Sequence, residues 1–156
     1  MTDRVILPGS YDPVTLGHLD IIRRVSNLYG EVFVVVFINP EKKYMFSSSD
    51  RVNMLKFATK DLPNVIVDYS DGLVIDYMRK QGISKIVKGY RNSIDLEYEK
   101  IQAEYNLKHG GFETEFLLSD DRFSKVSSTL ARDKIENGEN LSEILPQSVI
   151  EYIKKS

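Results

Sequence analysis

Cysteine is absent from the 156 residues of this chain. That excludes disulfides, thiolate metal sites and cysteine nucleophiles, and it fits a reducing compartment, so a cytoplasmic setting is expected. An excess of one charge is lacking too, since 21 Lys and Arg against 23 Asp and Glu give a formal net charge of -2. No global basic field is there to attract nucleic acid or a membrane surface, and any anion site must be assembled locally from cations gathered on one face. The longest apolar run, Val32 to Ile38, is far too short to cross a bilayer. The N-terminus shows no basic segment followed by an apolar one, so no signal peptide is expected. No internal repeat, low-complexity tract or interdomain linker breaks the chain, and a single domain over residues 1–156 is expected, long enough to bury a real core.

What is present is an alternation of short apolar runs and helical patterns. Val5-Ile6-Leu7 reads as a strand. His18 to Tyr29 reads as a helix, with Leu19, Ile22, Val25 and Leu28 every three residues and Gly30 where a C-terminal cap belongs. Val32 to Ile38, almost wholly β-branched or aromatic, suits a strand buried on both faces. Ser47 to Asp50 opens a helix carrying Val52, Leu55, Ala58 and Leu62. Val65 to Val67 is a third strand, and Leu73, Val74, Tyr77 and Met78 mark a helix that stops at Gly82. Lys85 to Val87 is a fourth strand, ending at Gly89. Asn92 or Ser93 caps the next helix, whose stripe is Ile94, Tyr98, Ile101 and Tyr105 and which ends at Gly110-Gly111. Glu115 to Leu118 is a fifth strand, Ser127 or Ser128 caps a helix running to Gly138, and a last helix starts near Pro146. Strands separated by helices imply right-handed crossovers and an α/β fold. The expectation is one doubly wound parallel sheet of five strands, ordered 3-2-1-4-5, with helices on both faces. Its ligands bind beyond the carboxyl ends of the strands, where the strand order reverses.

The first strand leads into "PGSYDPVTLGH", Pro8 to His18, at that switch point. This loop has no lysine and matches neither G-x-x-x-x-G-K-[ST] nor G-x-G-x-x-G. Gly9 is expected to let backbone approach a ligand, Ser10 to add a hydroxyl, and Asp12-Pro13 to stiffen the turn. Gly17 and His18 then open a helix, where a phosphate meets free N–H groups and the positive end of the dipole. His18 adds an N–H donor, and Gly17 keeps the approach clear. Lys42 and Lys43 follow the second strand, and Lys88 and Arg91 bracket the end of the fourth, so separate segments aim cations at one crevice. Ser127, Ser128 and Thr129 make a second anion cradle at a helix start. Asp95 and Glu99 can fix polar partners. His109, at a helix C-terminus where a cation is favoured, reads as structural, and Tyr98 and Tyr105 read as core or subunit interface.

"GSYDPVTLGH" resembles the first motif of the nucleotidylyltransferase superfamily, roughly G-[ST]-F-D-x-x-[HT]-x-G-H, in the form carrying Thr15 that is found in phosphopantetheine adenylyltransferases. "NPEKKYMF" (39–46) is similar to that family's S-P-x-K-x-P-M-F loop, "KGYRNSIDLEYE" (88–99) to R-G-L-R-x-x-x-D-F-E-Y-E, and "FSKVSSTL" (123–130) to its C-terminal x-x-x-I-S-S-[ST] stretch. The four occur in the family's order across residues 6–130. The departures are Ser10 for Thr, Tyr11 for Phe, Val74 for Met, Leu96 for Phe, and Lys88 for Arg. The last exchanges a two-pronged fork for a point charge.

The resemblance implies a Rossmann-like fold and transfer of an adenylyl group from ATP to 4'-phosphopantetheine, giving dephospho-coenzyme A and pyrophosphate. It implies His18 as the group that stabilises the transition state, with Ser10 and Lys42 holding the attacking phosphate. Val74 and Lys88 join Ser10 and Lys42 on the phosphopantetheine side. On the ATP side it implies Ser10, Tyr11, His18, Gly89, Tyr90, Arg91 and Glu99, together with Phe123, Ser124, Lys125, Val126, Ser127, Ser128 and Thr129. Mg²⁺ is expected to arrive with ATP, since no cluster of acidic ligands is visible in the sequence. Neither nucleic acid nor membrane is expected as a partner, and the resemblance implies a homo-oligomer, a hexamer. The alternatives are a nucleotidylyltransferase acting on nicotinamide mononucleotide or using CTP, and a noncatalytic nucleotide sensor on the same fold.

Overall fold

The computed structural model describes residues 3–156. Its strands are β1 (Arg4–Gly9), β2 (Glu31–Phe37), β3 (Val65–Ser70), β4 (Lys85–Tyr90) and β5 (Thr114–Leu118). They form one parallel sheet in the order β3-β2-β1-β4-β5, the order expected. Between and after them lie α1 (Leu16–Ser26), α2 (Ser48–Ala58), α3 (Val74–Gln81), α4 (Ser93–Gly110), α5 (Ser128–Glu136) and α6 (Gln147–Lys155), with a single 3-10 turn at Asp121–Phe123.

The continuous apolar run of β2 has its reason in the two covered faces. Val32, Val34 and Val36 join Val5, Leu7 and Val87 against Ile22 and Val25 of α1, Met54 and Leu55 of α2, and Val149 of α6. Phe33 and Val35 join Ile6 and Ile86 against Tyr77 and Met78 of α3. Successive side chains alternate across the sheet, so a strand with helices above and below needs apolar residues at every position.

Caps account for most helix boundaries. Ser47 Oγ accepts from Asp50 N, Asn92 Oδ1 accepts from Asp95 N, and Ser127 Oγ accepts from Leu130 N, which decides between the paired candidates for α4 and α5. Gly82 and Gly111 end α3 and α4.

Three expectations shift. α1 begins at Leu16 and ends at Ser26, capped by Asn27 rather than Gly30. Asn27 N–H donates to Arg23 O, while Leu28 and Tyr29 N–H both turn back to Val25 O, and Leu28 is left 63% exposed. α2 stops at Ala58, so Leu62 lies beyond it. The apolar stripe of α4 does not face the sheet: Ile94, Tyr98 and Ile101 are 72%, 76% and 70% exposed, which removes the core reading for these residues within the chain.

Candidate functional site

The β1–β2 ladder runs from Arg4↔Glu31 to Gly9↔Val36, but β1 and β4 pair only at Val5↔Lys85 and Ile6↔Ile86. Beyond Ile6 the next residue facing β4 is Pro8, which has no N–H to continue the ladder. Its carbonyl instead accepts from Lys88 Nζ at 3.2 Å. The sheet therefore splits at its carboxyl edge between β1 and β4, where the strand order reverses.

His18 sits at this split, half-buried, as the third residue of α1. Thr15 caps the helix: its Oγ1 accepts from His18 N at 3.3 Å, and its own N–H donates to His18 Nδ1 at 3.0 Å. Because Nδ1 accepts from a backbone N–H, the neutral ring carries its proton on Nε2 and presents that N–H as a donor. The edge of Tyr11 packs against the imidazole at 5.1 Å between ring centroids, and Tyr11 Oη donates to Leu7 O. Burial, then the charges of Lys88 and Arg91, lower the His18 pKa to about 4, so the ring is neutral near pH 7. The sequence offered a donor at residue 18. The reciprocal lock by Thr15, with histidine doing the work of the usual Glu or Gln of a capping box, is a structural finding.

The expected row of free N–H groups at the start of α1 is largely taken. Leu16 N donates to Ile144 O and His18 N to Thr15 Oγ1, which leaves Gly17 N of the first three. Gly9 lines the cleft and has a local reason as well. A Cβ there would come within 3.1 Å of the Tyr11 ring, so the glycine makes room for the residue that braces His18. Gly89 has an equally local reason, since a Cβ would lie 2.9 Å from Ile21 Cγ1 and push β4 away from α1.

Asp12, read from sequence as a turn residue, is the anchor of the Lys42 loop. Its carboxylate, 4% exposed, accepts from Met45 N at 2.8 Å and Phe46 N at 2.9 Å. Arg51 is a second group the sequence did not reveal. It is 1% exposed, reaches Phe46 O through Nε, and donates from Nη1 to Ser10 O at 2.9 Å. A third is Arg132 of α5, which donates to Asp12 O at 2.9 Å. Each lies in an ordinary helical or turn pattern, where only the fold reveals its partner.

Lys88 and Arg91 carry carboxylate partners. Glu99 meets Lys88 Nζ at 3.2 Å, and Asp95 receives Nε and Nη2 of Arg91 at 2.9 and 3.1 Å. Asp95 and Glu99 fix polar partners as expected, but these pairs offset part of the positive field that the cations alone suggested. Lys42 and Lys43 are exposed. At the start of α5, Ser128 Oγ donates to Pro13 O at 2.9 Å, while Ser127 Oγ accepts from Leu130 N and Thr129 Oγ1 accepts from Arg132, which leaves the O–H donors of Ser127 and Thr129 available. The cradle expected there thus keeps two hydroxyl donors beside the N–H groups at the positive end of the helix.

Two cavities occupy the split. One, about 580 Å³, is lined by Ser10, Tyr11, His18, Lys42, Lys88, Gly89, Tyr90, Arg91, Glu99 and residues 126–129, with Arg132 beside them. The other, about 630 Å³, is lined by Phe37, Leu73, Val74 and Ile86, and by Asn106 and Thr114, whose hydroxyl is buried without a protein partner. Pro8, Gly9, Ser10, Lys42, Tyr44, Lys88 and Glu99 line both, so the cavities meet over the end of β1. Of the residues expected on the ATP side, Phe123, Ser124 and Lys125 do not line either cavity; Phe123 packs behind Gly17, 3.6 Å from where its Cβ would be. Asp121–Phe123 form a 3-10 turn, a feature with no periodic signal in so short a piece.

A donor-lined, cation-bearing cleft at the switch point of a parallel sheet is the arrangement a nucleotidyltransferase-type domain needs. The cytidylyltransferase-like family matches residues 6–134. A phosphopantetheine adenylyltransferase from Caldanaerobacter subterraneus subsp. tengcongensis is 45% identical over 149 residues, covering 95% of this chain and 93% of that protein. The chain belongs to the phosphopantetheine adenylyltransferase family, within the cytidylyltransferase-like nucleotidyltransferases.

Proposed function

We propose that this enzyme transfers the adenylyl group of ATP to 4'-phosphopantetheine, a late step in making coenzyme A. The observation that carries the reading is the junction of two unlike cavities at Ser10, Lys42 and Lys88. The first cavity, with His18, Arg91 and the α5 N-terminus, suits a triphosphate. The second combines an apolar wall with Asn106 and Thr114, which suits an extended arm bearing amides.

A phosphate oxygen of 4'-phosphopantetheine attacks the α-phosphorus in line, a new P–O bond forms, and the bond to the bridging oxygen breaks as pyrophosphate leaves. The substrate supplies the nucleophile, so the protein's task is placement and charge stabilisation. Nε2–H of His18 donates to the α-phosphate oxygens as negative charge builds. Ser10 and Lys42 orient the incoming phosphate, Lys88 contacts the phosphopantetheine side, and Arg91 with the N–H groups of residues 127–129 serves the departing phosphates. Tyr11 acts by bracing His18 rather than by touching ATP.

Mg²⁺ enters as the ATP complex. Three of the four carboxylates lining the cavities, Asp12, Glu99 and Asp95, are committed to Met45 and Phe46, to Lys88 and to Arg91, and Asp71 lies apart at the second cavity, which would suit a metal delivered with the nucleotide. The metal would screen the phosphates as charge shifts to pyrophosphate. The exposed stripe of Ile94, Tyr98 and Ile101 supports a homo-oligomer, a hexamer as in the family, and a cytoplasmic location follows from the substrates. No helix among the described residues is long and apolar enough to cross a membrane.

Incubation with ATP, Mg²⁺ and 4'-phosphopantetheine, with product mass and pyrophosphate measured, tests the reading. Dephospho-coenzyme A is expected. Turnover of nicotinamide mononucleotide, use of CTP, or tight ATP binding without turnover would replace it.

A further inference from the structure

Lys42 presents a difficulty for a reaction that depends on placement. Its side chain is exposed, on a loop, and rotamer-rich, so fixing it costs conformational entropy. The loop backbone is well anchored. Lys42 N donates to Asn39 O, Glu41 N to Asn39 Oδ1, and Met45 and Phe46 N to Asp12. None of these bonds restrains the ammonium.

Tyr44 does. Its Oη accepts from Asn39 N at 2.9 Å, which ties the ring to the loop's own entry turn. The Lys42 ammonium lies 5.6 Å from the ring centroid and the Arg51 guanidinium carbon 3.9 Å from it, so one aromatic ring serves two cations. Arg51 in turn holds the Ser10 carbonyl. Tyr44 is also among the residues common to both cavities. The negative face of the ring attracts each cation and lessens the cost of bringing two of them into one corner.

We propose that Tyr44 is a positioning residue for the attacking phosphate: its ring holds Lys42 directly, and Ser10 through Arg51, at the point where the cavities join. The proposal rests on the adenylyl-transfer reading above. It assigns Tyr44 no contact with the reacting atoms. Its effect falls on the phosphate acceptor and spares the nucleotide, because the ring touches the Lys42 loop and not His18 or α5.

The test is steady-state kinetics of wild type, Tyr44→Ala and Tyr44→Phe with ATP and 4'-phosphopantetheine, alongside thermal melts. Wild-type turnover is the control for the parent reading; without it, that reading has failed. Given turnover, Tyr44→Ala should lose roughly two- to fivefold in kcat/KM for 4'-phosphopantetheine, the rate equivalent of an exposed cation–π contact, with KM for ATP unchanged. Tyr44→Phe keeps the ring and loses one loop bond, and should recover most of the activity. In the Lys42→Ala background Tyr44→Ala should cost much less, since the group it positions is gone. Unchanged kinetics in Tyr44→Ala, an equal loss toward both substrates, failure of Phe to rescue, or full additivity with Lys42→Ala would each overturn the proposal. A melting temperature lowered in Tyr44→Ala but not in Tyr44→Phe, with the substrate selectivity retained, remains the expected pattern.

Discussion

At the amino end of the sheet Arg4 pairs with Glu31 at 2.8 Å and Lys85 with Glu115 at 3.4 Å, while Tyr29 donates to the same Glu115 carboxylate. At the carboxyl end the donors come from loops and helix starts: Nε2–H of His18, the exposed Lys42 and Lys43, and the N–H groups opening α5. In the first region strand register brings opposite charges together at neighbouring positions, and the hydrogen bond from Tyr29 holds the Glu115 carboxyl below the usual carboxylate range. In the second, split strands leave no ladder to place the groups, and each is fixed by a dedicated neighbour such as Thr15, Asp12 or Arg51. Charge closed by register serves the sheet, whereas charge held one group at a time remains available for a substrate.

The sharpest way to break this contrast is at His18. His18→Ala should lower kcat by roughly 10²–10³ without loss of fold, as for removal of one preorganised donor, and pyrophosphate release with circular dichroism reads both. Asp12→Asn comes next. It replaces an acceptor of two buried backbone N–H bonds with a group that can satisfy one, and should cost about 2–3 kcal/mol of stability in a denaturant titration together with activity. Lys88→Ala should raise KM for 4'-phosphopantetheine by roughly tenfold with kcat less affected, and Lys88→Arg should be tolerated and tighten that substrate. An unchanged KM in Lys88→Ala would remove the residue from that side of the site.

Acid gives a subtler probe. The folded His18 pKa, about 4, lies below its ordinary 6.5, so protonation favours the unfolded chain. His18 contributes no pH dependence above about 6.5, and stability falls as pH drops from there toward 4. Bound phosphate should raise the pKa by attraction to the charged form, and the imidazole resonances in a pH titration with and without ATP report both effects. The smallest effect is expected at the other end of the sheet. Lys85→Met should leave turnover unchanged and cost no more than about 1 kcal/mol, since the pair is solvent-facing.

The number of strands, their order and the buried nature of β2 could be read from β-branched runs between capped helices, because local propensity and the burial pattern agree there. The first loop, the lysines at 42 and 88 and the hydroxyl run at 127–129 were legible by type and order. Val74, expected on the phosphopantetheine side, lines the second cavity. Phe123, Ser124 and Lys125 lie in and just after a 3-10 turn and line neither cavity, so their place on the ATP side rests on the resemblance alone. Asp12, Arg51, Arg132, Asn106 and Thr114 could not be found, since their partners are distant in sequence and their own surroundings are those of ordinary turn, helix and strand residues.

The sequence by itself determined which segments become strands and helices, and that cations and donors follow strands one, two, four and five. Those are consequences of side-chain period and local hydrogen bonding, which act within a few residues. Only the tertiary structure decided which donors remain free, because a hydrogen bond spent on Ile144, Pro13 or Ser10 depends on what the fold brings alongside. It also decided that the apolar face of α4 points outward, since which side of a helix meets the sheet is set by packing across the whole chain.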